Sequence, residues 1–231
     1  SLETESHNDS FDKQKFDRFH DLLKELFPNV FKTFKYEEFN GSILLYWDVN
    51  IIEKPILLMA HHDVVVAEGD WKHPPYKAEI EDGKIYGRGT IDTKNSLFAI
   101  LQAMEEIILE GITPNRGIYI ESASDEETQS LGALTIAKSL QNKGISFEFV
   151  IDEGGFILDD PAGVAPGKYA VVALGEKSIL DVKFIARSNG GHSSSPSKDS
   201  PLVRLGKFMA YVDSHQIFEV KVNETDVLKG V

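Results

Sequence analysis

The chain has 231 residues, a formal net charge of −13, 42% hydrophobic residues and no cysteine. The length suits one large domain or one domain with part of a second, and the acidic balance argues against nucleic acid or an anionic membrane surface as a partner. Without cysteine, any bound metal must be held by His, Asp and Glu side chains.

The first third of the chain predicts one helix and two strands. Residues 1–10 are polar and are expected to fray. Apolar residues recurring at helical spacing predict an amphipathic helix that ends near Pro28; they are Phe16, Phe19, Leu22, Leu23, Leu26 and Phe27. Residues 42–49 predict a strand, and 56–60 predict a strand buried on both faces.

Residues 64–84 contain Gly, Pro and aromatic residues without periodicity, which predicts a long ordered loop. Within it, Trp71 and residues 74–76 form either a wall of a functional site or ordinary loop packing. No segment is apolar for long enough to cross a membrane, and no signal-peptide core is found near the start. We therefore expect a cytoplasmic location.

The middle of the chain alternates strands and helices. Residues 84–92 predict a strand that breaks at glycines, and 117–122 and 147–151 predict two more buried strands. A helix ending at Gly111 is predicted by one apolar face, formed by Leu97, Ile100, Leu101, Met104, Ile107 and Ile108. A second helix is predicted to have an inner face of Leu131, Leu134, Ala137 and Leu140. This alternation predicts an α/β fold with a mostly parallel sheet and helices on both of its faces.

The pattern changes after Pro166. Residues 178–186 alternate in a way that favours a strand with one solvated face, and 202–209 predict a helix. We place a domain boundary near Gly175, so that 1–174 form one domain and 175–231 begin a smaller α+β domain.

Polar residues that could bind metal follow each buried strand. His61 and Asp63 follow the strand 56–60, and Asp92 follows the turn at Gly87 and Gly89. Residues 125–127 and 152–155 follow the other two strands. Each group also has a plainer interpretation: a polar strand end for His61, a helix cap for Asp92, a solvated acidic turn for 125–127 and a simple turn for 152–155.

The groups are informative together, because the carboxyl ends of parallel strands meet at one edge of a sheet. Several carboxylates brought to one edge beside a histidine cannot all ionise without cations. A set of nitrogen and oxygen ligands favours zinc, manganese or a related divalent ion, and possibly a pair of them.

Five motifs in this order resemble the dizinc aminoacylase/carboxypeptidase family, and within it the Gly-Xaa carboxypeptidases of the carboxypeptidase S type. They are residues 60–65 (AHHDVV), 87–94 (GRGTIDTK), 125–127 (DEE), 152–155 (DEGG) and 190–194 (GGHSS). The resemblance implies a zinc exopeptidase-like fold in which the second domain is a lid that also mediates homodimerisation. It further implies two zinc ions per active site.

The resemblance also implies residue roles. His61 is expected to bind one zinc, with Asp63 orienting it, and Asp92 is expected to bridge the two ions. Glu126 is the expected general base and Glu127 a ligand. The ligand of the other zinc is expected to be Glu153, and the neighbouring Asp152 is the alternative candidate for this ligand.

His192 is expected to donate a hydrogen bond to the tetrahedral oxyanion, often in the partner subunit's site, while its plainer interpretation is a surface loop histidine. The other histidines carry no motif and are expected to be ordinary; they are His7, His20, His62, His73 and His215.

The resemblance implies hydrolysis of the amide bond that precedes a free C-terminal amino acid in a small peptide, by a zinc-activated water and a Glu base. Two alternatives are an N-acyl-amino-acid deacylase that uses the same residues and an inactive remnant that only binds metal. Members of the family are longer, and their chain returns from the lid to supply a last histidine ligand. We therefore expect this chain to be a C-terminally truncated form.

Overall fold

The computed structural model describes residues 2–7, 9–49, 53–160, 166–175, 182–195 and 198–217. In chain order the helices are α1 (Lys13–Leu26), α2 (Pro28–Thr33), α3 (Lys94–Leu109), α4 (Leu131–Asn142) and α5 (Pro201–Ser214). The strands are β1 (Lys35–Phe39), β2 (Ser42–Trp47), β3 (Ile56–Met59), β4 (Glu79–Glu81), β5 (Lys84–Tyr86), β6 (Ile118–Ser122), β7 (Val150–Ile151), β8 (Phe156–Asp159) and β9 (Lys168–Val171).

Within the described residues, the main sheet has five strands in the order β1-β2-β6-β3-β7. β3 pairs in parallel with β6 and β7, whereas β2 is antiparallel to both β1 and β6. β1 therefore runs in the same direction as the three parallel strands. The predicted α/β fold with a mainly parallel sheet is confirmed.

The register of the parallel strands brings their carboxyl ends to one edge of the sheet. Met59 of β3 lies opposite Glu121 of β6, and Leu58 lies opposite Ile151 of β7. The residues that follow β3, β6 and β7 must therefore converge at this edge.

Helices cover both faces of the sheet, as predicted. On one face α1, α2 and α3 pack against β2, β3 and β6 in a core of buried residues: Phe19, Leu23, Phe27, Val30, Phe34, Ile43, Leu45, Ala60, Leu97, Leu101, Met104, Ile118 and Ile120. On the other face, Leu44 of β2 packs against Ile136 and Leu140 of α4.

The prediction that the first ten residues fray is wrong. Thr4 is fully buried and Ser6 is 7% exposed. The backbone N–H of Val64 donates to Thr4 O (3.0 Å), and the N–H of Ser6 donates to Val64 O (3.2 Å). This N-terminal segment adds a short bridge beside the end of β3, which satisfies the backbone groups that follow the strand.

The predicted strand 147–151 is shorter and less buried than expected. β7 contains two residues, and Val150 and Ile151 are 50% and 52% exposed. Within the described residues β7 pairs only with β3, so one of its edges has no neighbouring strand. A continuous apolar run does not by itself show whether a strand lies in the middle of a sheet or at its edge.

The inner face predicted for α4 is also wrong apart from Leu140. Leu131 and Leu134 are about half exposed and Ala137 is exposed, whereas Gly132 and Ile136 are buried. Gly132 lies against the side chain of Ser42, where a Cβ atom would clash. This close contact rotates the helix so that its smallest residue faces the sheet.

Two tight hairpins were not predicted. β1 and β2 are joined by Asn40 and Gly41, and β4 and β5 are joined by Asp82 and Gly83. All four residues have positive φ, as two-residue hairpin turns require. The predicted loop 64–84 therefore ends in a hairpin.

The chain divides into two compact units, Ser1–Ala173 and Leu174–Val231. In the second unit α5 confirms the predicted helix, and the carbonyl of Arg187 accepts a hydrogen bond from Arg204 (2.6 Å). The predicted strand 178–186 lies outside the described residues up to 181, and 182–186 have no regular secondary structure.

Candidate active site

His61 and Asp63, which directly follow β3, lie beside the loops that follow β6 and β7. The His61 and Asp63 side chains are 2% and 0% exposed. Asp92, Glu126 and Glu153 lie around them, with side chains that are 65%, 46% and 33% exposed. The floor of the cluster is thus buried, and the carboxylates at its rim are open to solvent.

Asp63 holds two parts of this cluster together. Its Oδ1 and Oδ2 accept hydrogen bonds from the backbone N–H groups of Glu126 and Glu127, both at 3.1 Å. Its Oδ1 also lies 3.3 Å from Nδ1 of His61. A fully buried carboxylate with these partners fixes both the imidazole ring and the acidic turn after β6.

The two ring nitrogens of His61 face different groups. Nδ1 lies 3.0 Å from the carbonyl oxygen of Asp63. Nε2 lies 2.9 Å from Asp92 Oδ1, 3.4 Å from Glu153 Oε2 and 3.8 Å from Glu126 Oε2. A proton on Nδ1 would leave Nε2 free to bind a cation among the carboxylates.

Two triads in this cluster have the composition and spacing that a metal ion needs. One is His61, Glu126 and Glu153, and the other is His61, Asp92 and Glu127; in each triad the ligand atoms lie within 4.8 Å of one another. Among the described residues Asp152 joins neither triad, and its Oδ1 accepts from the backbone N–H of Glu153 (2.9 Å). The donor set fits divalent cations that prefer nitrogen and oxygen ligands.

The electrostatics of the cluster call for positive charge. Burial raises the pKa values of the Glu126, Glu127 and Glu153 carboxyls, neighbouring carboxylates raise them further, and the His61 charge partly offsets this. Burial alone would lower the pKa of His61, but Asp63, Glu153 and Asp92 raise it to about 10. A proton on His61 thus neutralises part of the acidic cluster, and a metal ion at Nε2 would do so more fully.

The plainer interpretation of Asp92 as a helix cap is wrong, and Asp125 makes a helix cap that was not predicted. Thr93, and not Asp92, is the N-cap of α3, so Asp92 is left to face His61. Asp125 has a structural role, because its carboxylate accepts from the N–H groups of Leu131 (2.9 Å) and Gly132 (3.0 Å) at the start of α4. The acidic turn is thus divided between a helix cap and two residues of the cluster.

Three buried residues beside the cluster were missed or treated as ordinary. His62 is fully buried, with its Nε2 3.3 Å from His20 Nε2 and its Nδ1 2.8 Å from Ser122 Oγ. Thr4 Oγ1 donates to the His62 carbonyl at 2.5 Å. Glu121, on β6, is 3% exposed, and its Oε1 has no hydrogen-bond partner among the described residues. A charged residue inside the apolar strand 118–122 was the only sequence signal for it.

Other predicted residues lie elsewhere. His192 is exposed in the second unit, where its Nδ1 contacts Ser194 Oγ at 2.8 Å. Trp71 donates from Nε1 to Glu68 O (3.1 Å) and carries the Arg88 guanidinium 5.0 Å from its ring centroid. These contacts are those of an ordered loop.

A mainly parallel sheet whose carboxyl edge carries a buried His–Asp pair ringed by carboxylates defines a class of protein, the α/β proteins with a candidate metal site at the end of the strands. Comparisons with known proteins give the family. The model of peptidase family M20/M25/M40 matches residues 57–227. The chain belongs to this family.

Similar proteins include some named as N-fatty-acyl-amino acid synthase/hydrolases and others named as carboxypeptidases. Over 150 residues the chain is 42% identical to the human N-fatty-acyl-amino acid synthase/hydrolase PM20D1. This alignment covers 64% of the chain and 30% of the human protein. Over 232 residues it is 37% identical to a probable carboxypeptidase S-like 2 of Dictyostelium discoideum, covering 96% of this chain and 44% of that protein. The M20 metallo-carboxypeptidase Sso-CP2 of Sulfolobus solfataricus has the same fold, with a TM-score of 0.56 at 24% identity over 69% of this chain and 36% of that one.

The chain therefore spans less than half the length of the curated relatives that it matches. No helix in the described part of the chain is long and apolar enough to cross a membrane.

Proposed function

We propose that this chain forms the metal-binding part of an exopeptidase that releases the C-terminal amino acid of small peptides. The observation that supports it best is the placement of His61 Nε2 within 2.9 to 3.8 Å of three carboxylates while Asp63 anchors the ring from behind. Membership of peptidase family M20/M25/M40 supports the reaction class.

The proposed cations are two zinc ions. His61, Asp92, Glu127 and Glu153 would hold them, with Asp92 as the expected shared ligand and Asp152 as the neighbouring candidate for the Glu153 position. Such ions lower the pKa of a bound water and polarise a carbonyl group. The two triads share His61, whose Nε2 can bind one ion, so the second ion of the proposed pair would be held by the carboxylates around it.

Glu126 is the proposed general base. It takes a proton from the attacking water and delivers it to the leaving amine. The pKa of its carboxyl is raised by burial and by Glu153, against an opposing effect of the His61 charge, and a raised pKa suits a group that must both accept and release a proton. Asp63 contributes by fixing the backbone N–H groups of Glu126 and Glu127.

The second unit is proposed to act as a lid and as the surface for homodimerisation, with 1–174 as the catalytic domain and 175–231 as part of the lid. His192 within it donates a hydrogen bond to the oxyanion of the tetrahedral intermediate. A cytoplasmic location stays a prediction.

A second candidate function is hydrolysis of N-acyl amino acids, which needs the same residues. The 42% identity to a human protein named as an N-fatty-acyl-amino acid synthase/hydrolase favours it. The two functions differ only in what precedes the scissile amide, so the metal cluster serves either one.

The test compares hydrolysis of glycyl-leucine with that of an N-acyl-leucine by the purified protein supplied with zinc. We expect turnover of the dipeptide, and Glu126→Gln should lower kcat by about 100-fold or more, on the order of the loss of a general base, without lowering the zinc content. Glu25→Gln, an exposed position on α1, makes the same change of charge and should have no effect. Faster hydrolysis of the acyl substrate would favour the second function, and loss of zinc in Glu126→Gln would show that Glu126 is a ligand.

A further inference from the structure

A second group of metal-ligating side chains lies between α1 and β1, apart from the cluster around His61. It consists of Asp17 and His20 of α1 with Glu38 of β1, and their ligand atoms lie within 4.8 Å of one another. Among the described residues it is the one such triad that does not contain His61. Residues three apart on a helix share a face, so Asp17 and His20 both point towards β1.

The histidine of this triad is held from the inside of the protein. His20 is 1% exposed, and its Nε2 lies 3.3 Å from Nε2 of His62. Nδ1 is therefore the ring nitrogen that remains for the carboxylates. Burial lowers the pKa of His20, although the charge of Glu38 opposes this. The ring is thus neutral near neutral pH and can offer a lone pair to a metal ion.

Nδ1 of His20 has only a long hydrogen-bond contact within the described part of the chain. The hydroxyl oxygen of Tyr36 lies 3.5 Å away, beyond the usual range of such bonds. This hydroxyl has a single proton, and Glu38 Oε2 lies closer to it, at 3.2 Å. In either tautomer Nδ1 is therefore weakly satisfied, and it faces a carboxylate that shares the same neighbour.

The two carboxylates already attract a cation. Lys13 Nζ forms ion pairs with Asp17 Oδ1 and with Glu38 Oε1, the second at 2.9 Å. The Lys13 side chain is 52% exposed, and its flexible stem lets the ammonium group swing into water. The ammonium neutralises the carboxylates, whereas a metal ion would bind the carboxylates and the imidazole together.

We propose that Asp17, His20 and Glu38 form a second site for a divalent cation, which takes the place of the Lys13 ammonium. One imidazole and two carboxylates, with water completing the coordination, suit zinc better than magnesium, which prefers oxygen ligands alone. The ion ties α1 to β1. It binds more weakly than ions at the cluster around His61, because Lys13 must first leave, and it is lost when free metal is removed.

A cation on Nδ1 also fixes the protons of the buried histidines. Nδ1 of His20 then carries no proton, so Nε2–H of His20 donates to His62 Nε2. His62 in turn carries its proton on Nδ1, which lies 2.8 Å from Ser122 Oγ. The same contacts permit the reverse order of protons when no cation is bound. The proton on His20 Nε2 therefore reports whether the site is filled.

The site goes beyond the proposed function and does not depend on it, because none of its ligands belongs to the cluster around His61. The experiment is isothermal titration calorimetry of zinc into the whole chain carrying His61→Ala, with magnesium as the comparison. We expect a zinc site that binds magnesium at least about tenfold more weakly. Equal affinities for the two ions would show that the carboxylates act without His20 and would overturn the proposal.

The native chain, titrated after the cluster around His61 has been filled with zinc, provides a second measurement. It should show the same weak site as the His61→Ala chain, so the result does not depend on how well that variant folds. Absence of weak zinc binding in the native chain would also overturn the proposal, whatever the zinc content of the main cluster.

Surface variants identify the ligands. Glu38→Gln should weaken the weak site by about tenfold or more, at least the loss seen when an outer partner of a metal ligand is changed. Lys13→Gln should strengthen it by roughly two- to fivefold, because no ammonium has to be displaced from an exposed ion pair. Glu25→Gln and Lys32→Gln, at exposed positions on α1 and α2, make the same changes of charge and should leave the affinity unchanged. Equal affinities in Glu38→Gln and Glu25→Gln, or weaker binding in Lys13→Gln, would contradict the assignment.

Nitrogen NMR of the histidine rings gives a readout that is independent of affinity. Zinc should shift the Nδ1 resonance of His20 and place the ring proton on Nε2, and the shift should need a higher zinc concentration in Glu38→Gln. Zinc binding that leaves the His20 ring resonances unchanged would show that the ion lies elsewhere and would refute this site.

Discussion

At the scale of single residues, Asp63 explains why the cluster has its shape. It is fully buried, and it accepts hydrogen bonds from the backbone of the acidic turn while it faces Nδ1 of His61. The sequence predicted that Asp63 orients His61. It did not predict that Asp63 also anchors the backbone of Glu126 and Glu127, because backbone donors leave no trace in side-chain identity.

Asp63→Asn should therefore weaken metal binding. The amide keeps one oxygen acceptor but presents an NH₂ group to a backbone N–H, so one of the two anchoring bonds is lost. We expect zinc affinity to fall by about 10- to 100-fold, as is typical when the partner of a ligand is changed, with the fold retained. Competition with a chromophoric chelator measures this. Asp82→Asn, in the β4–β5 turn where Asn tolerates positive φ, is the control, and equal affinities in both variants would refute the role of Asp63.

Glu121 shows the opposite case, an acidic residue that the sheet buries and whose Oε1 has no hydrogen-bond partner among the described residues. Burial raises the pKa of its carboxyl to about 8, and the charges of Asp152 and Asp125 contribute. The folded state therefore holds a proton that the unfolded state releases between about pH 4.5 and pH 8. The free energy of unfolding should fall as pH rises through this window.

Glu121→Gln should remove that fall. Near pH 4 the variant and the native chain should have similar stability, whereas near pH 8 the variant should be more stable, by an amount on the order of a few kcal/mol at most. Urea unfolding in EDTA at a series of pH values measures the difference. Glu148→Gln, at an exposed position, is the control, and a stability difference that does not change with pH would contradict the assigned burial of charge.

At the scale of elements, the periodicity of apolar residues predicted the helices and the central strands well. It failed where a neighbour decides the outcome. The rotation of α4 about its axis is set by the contact between Gly132 and Ser42 and by the Asp125 cap. The N-terminal segment is ordered because it pairs with Val64. Apart from the Asp125 cap, which joins residues seven positions apart, these are tertiary contacts between residues far apart in sequence, which no local pattern encodes.

The start of α2 is another such case. Its N-cap, Phe27, makes no side-chain cap, and the buried carboxylate of Glu105 on α3 accepts instead from the N–H of Asn29 (3.1 Å) and of Val30 (2.8 Å). Glu105→Ala should lower the free energy of unfolding by roughly 2–3 kcal/mol, because charge-assisted bonds to a helix start are lost. Chemical denaturation measures this. The neighbouring exposed residue gives the control, Glu106→Ala, and a similar loss in both variants would show that the cap contributes nothing.

At the scale of the whole molecule, the sheet brings the candidate metal ligands together. Parallel β3, β6 and β7 end at one edge, so four separate sequence motifs, which hold His61, Asp92, Glu126 and Glu153, become one cluster. The order of strands and helices in the sequence was enough to predict this convergence. The order of strands and helices did not show which glutamate is a metal ligand and which is the general base. Glu126 and Glu127 each join a triad with His61.

The metal cluster is formed by contacts within the first unit alone, whereas the proposed roles of His192 and of the dimer involve the second unit. We propose that His61 and the carboxylates around it bind divalent cations.

The most direct test of this claim is a zinc titration of the purified chain and of His61→Ala, with bound metal counted by elemental mass spectrometry after removal of free ion. The proposed pair of ions predicts close to two zinc ions per native molecule, with affinity that weakens as the pH is lowered and protons compete for His61 and the glutamates. His61→Ala should lose most of this binding. Zinc uptake by His61→Ala equal to that of the native chain would contradict the account.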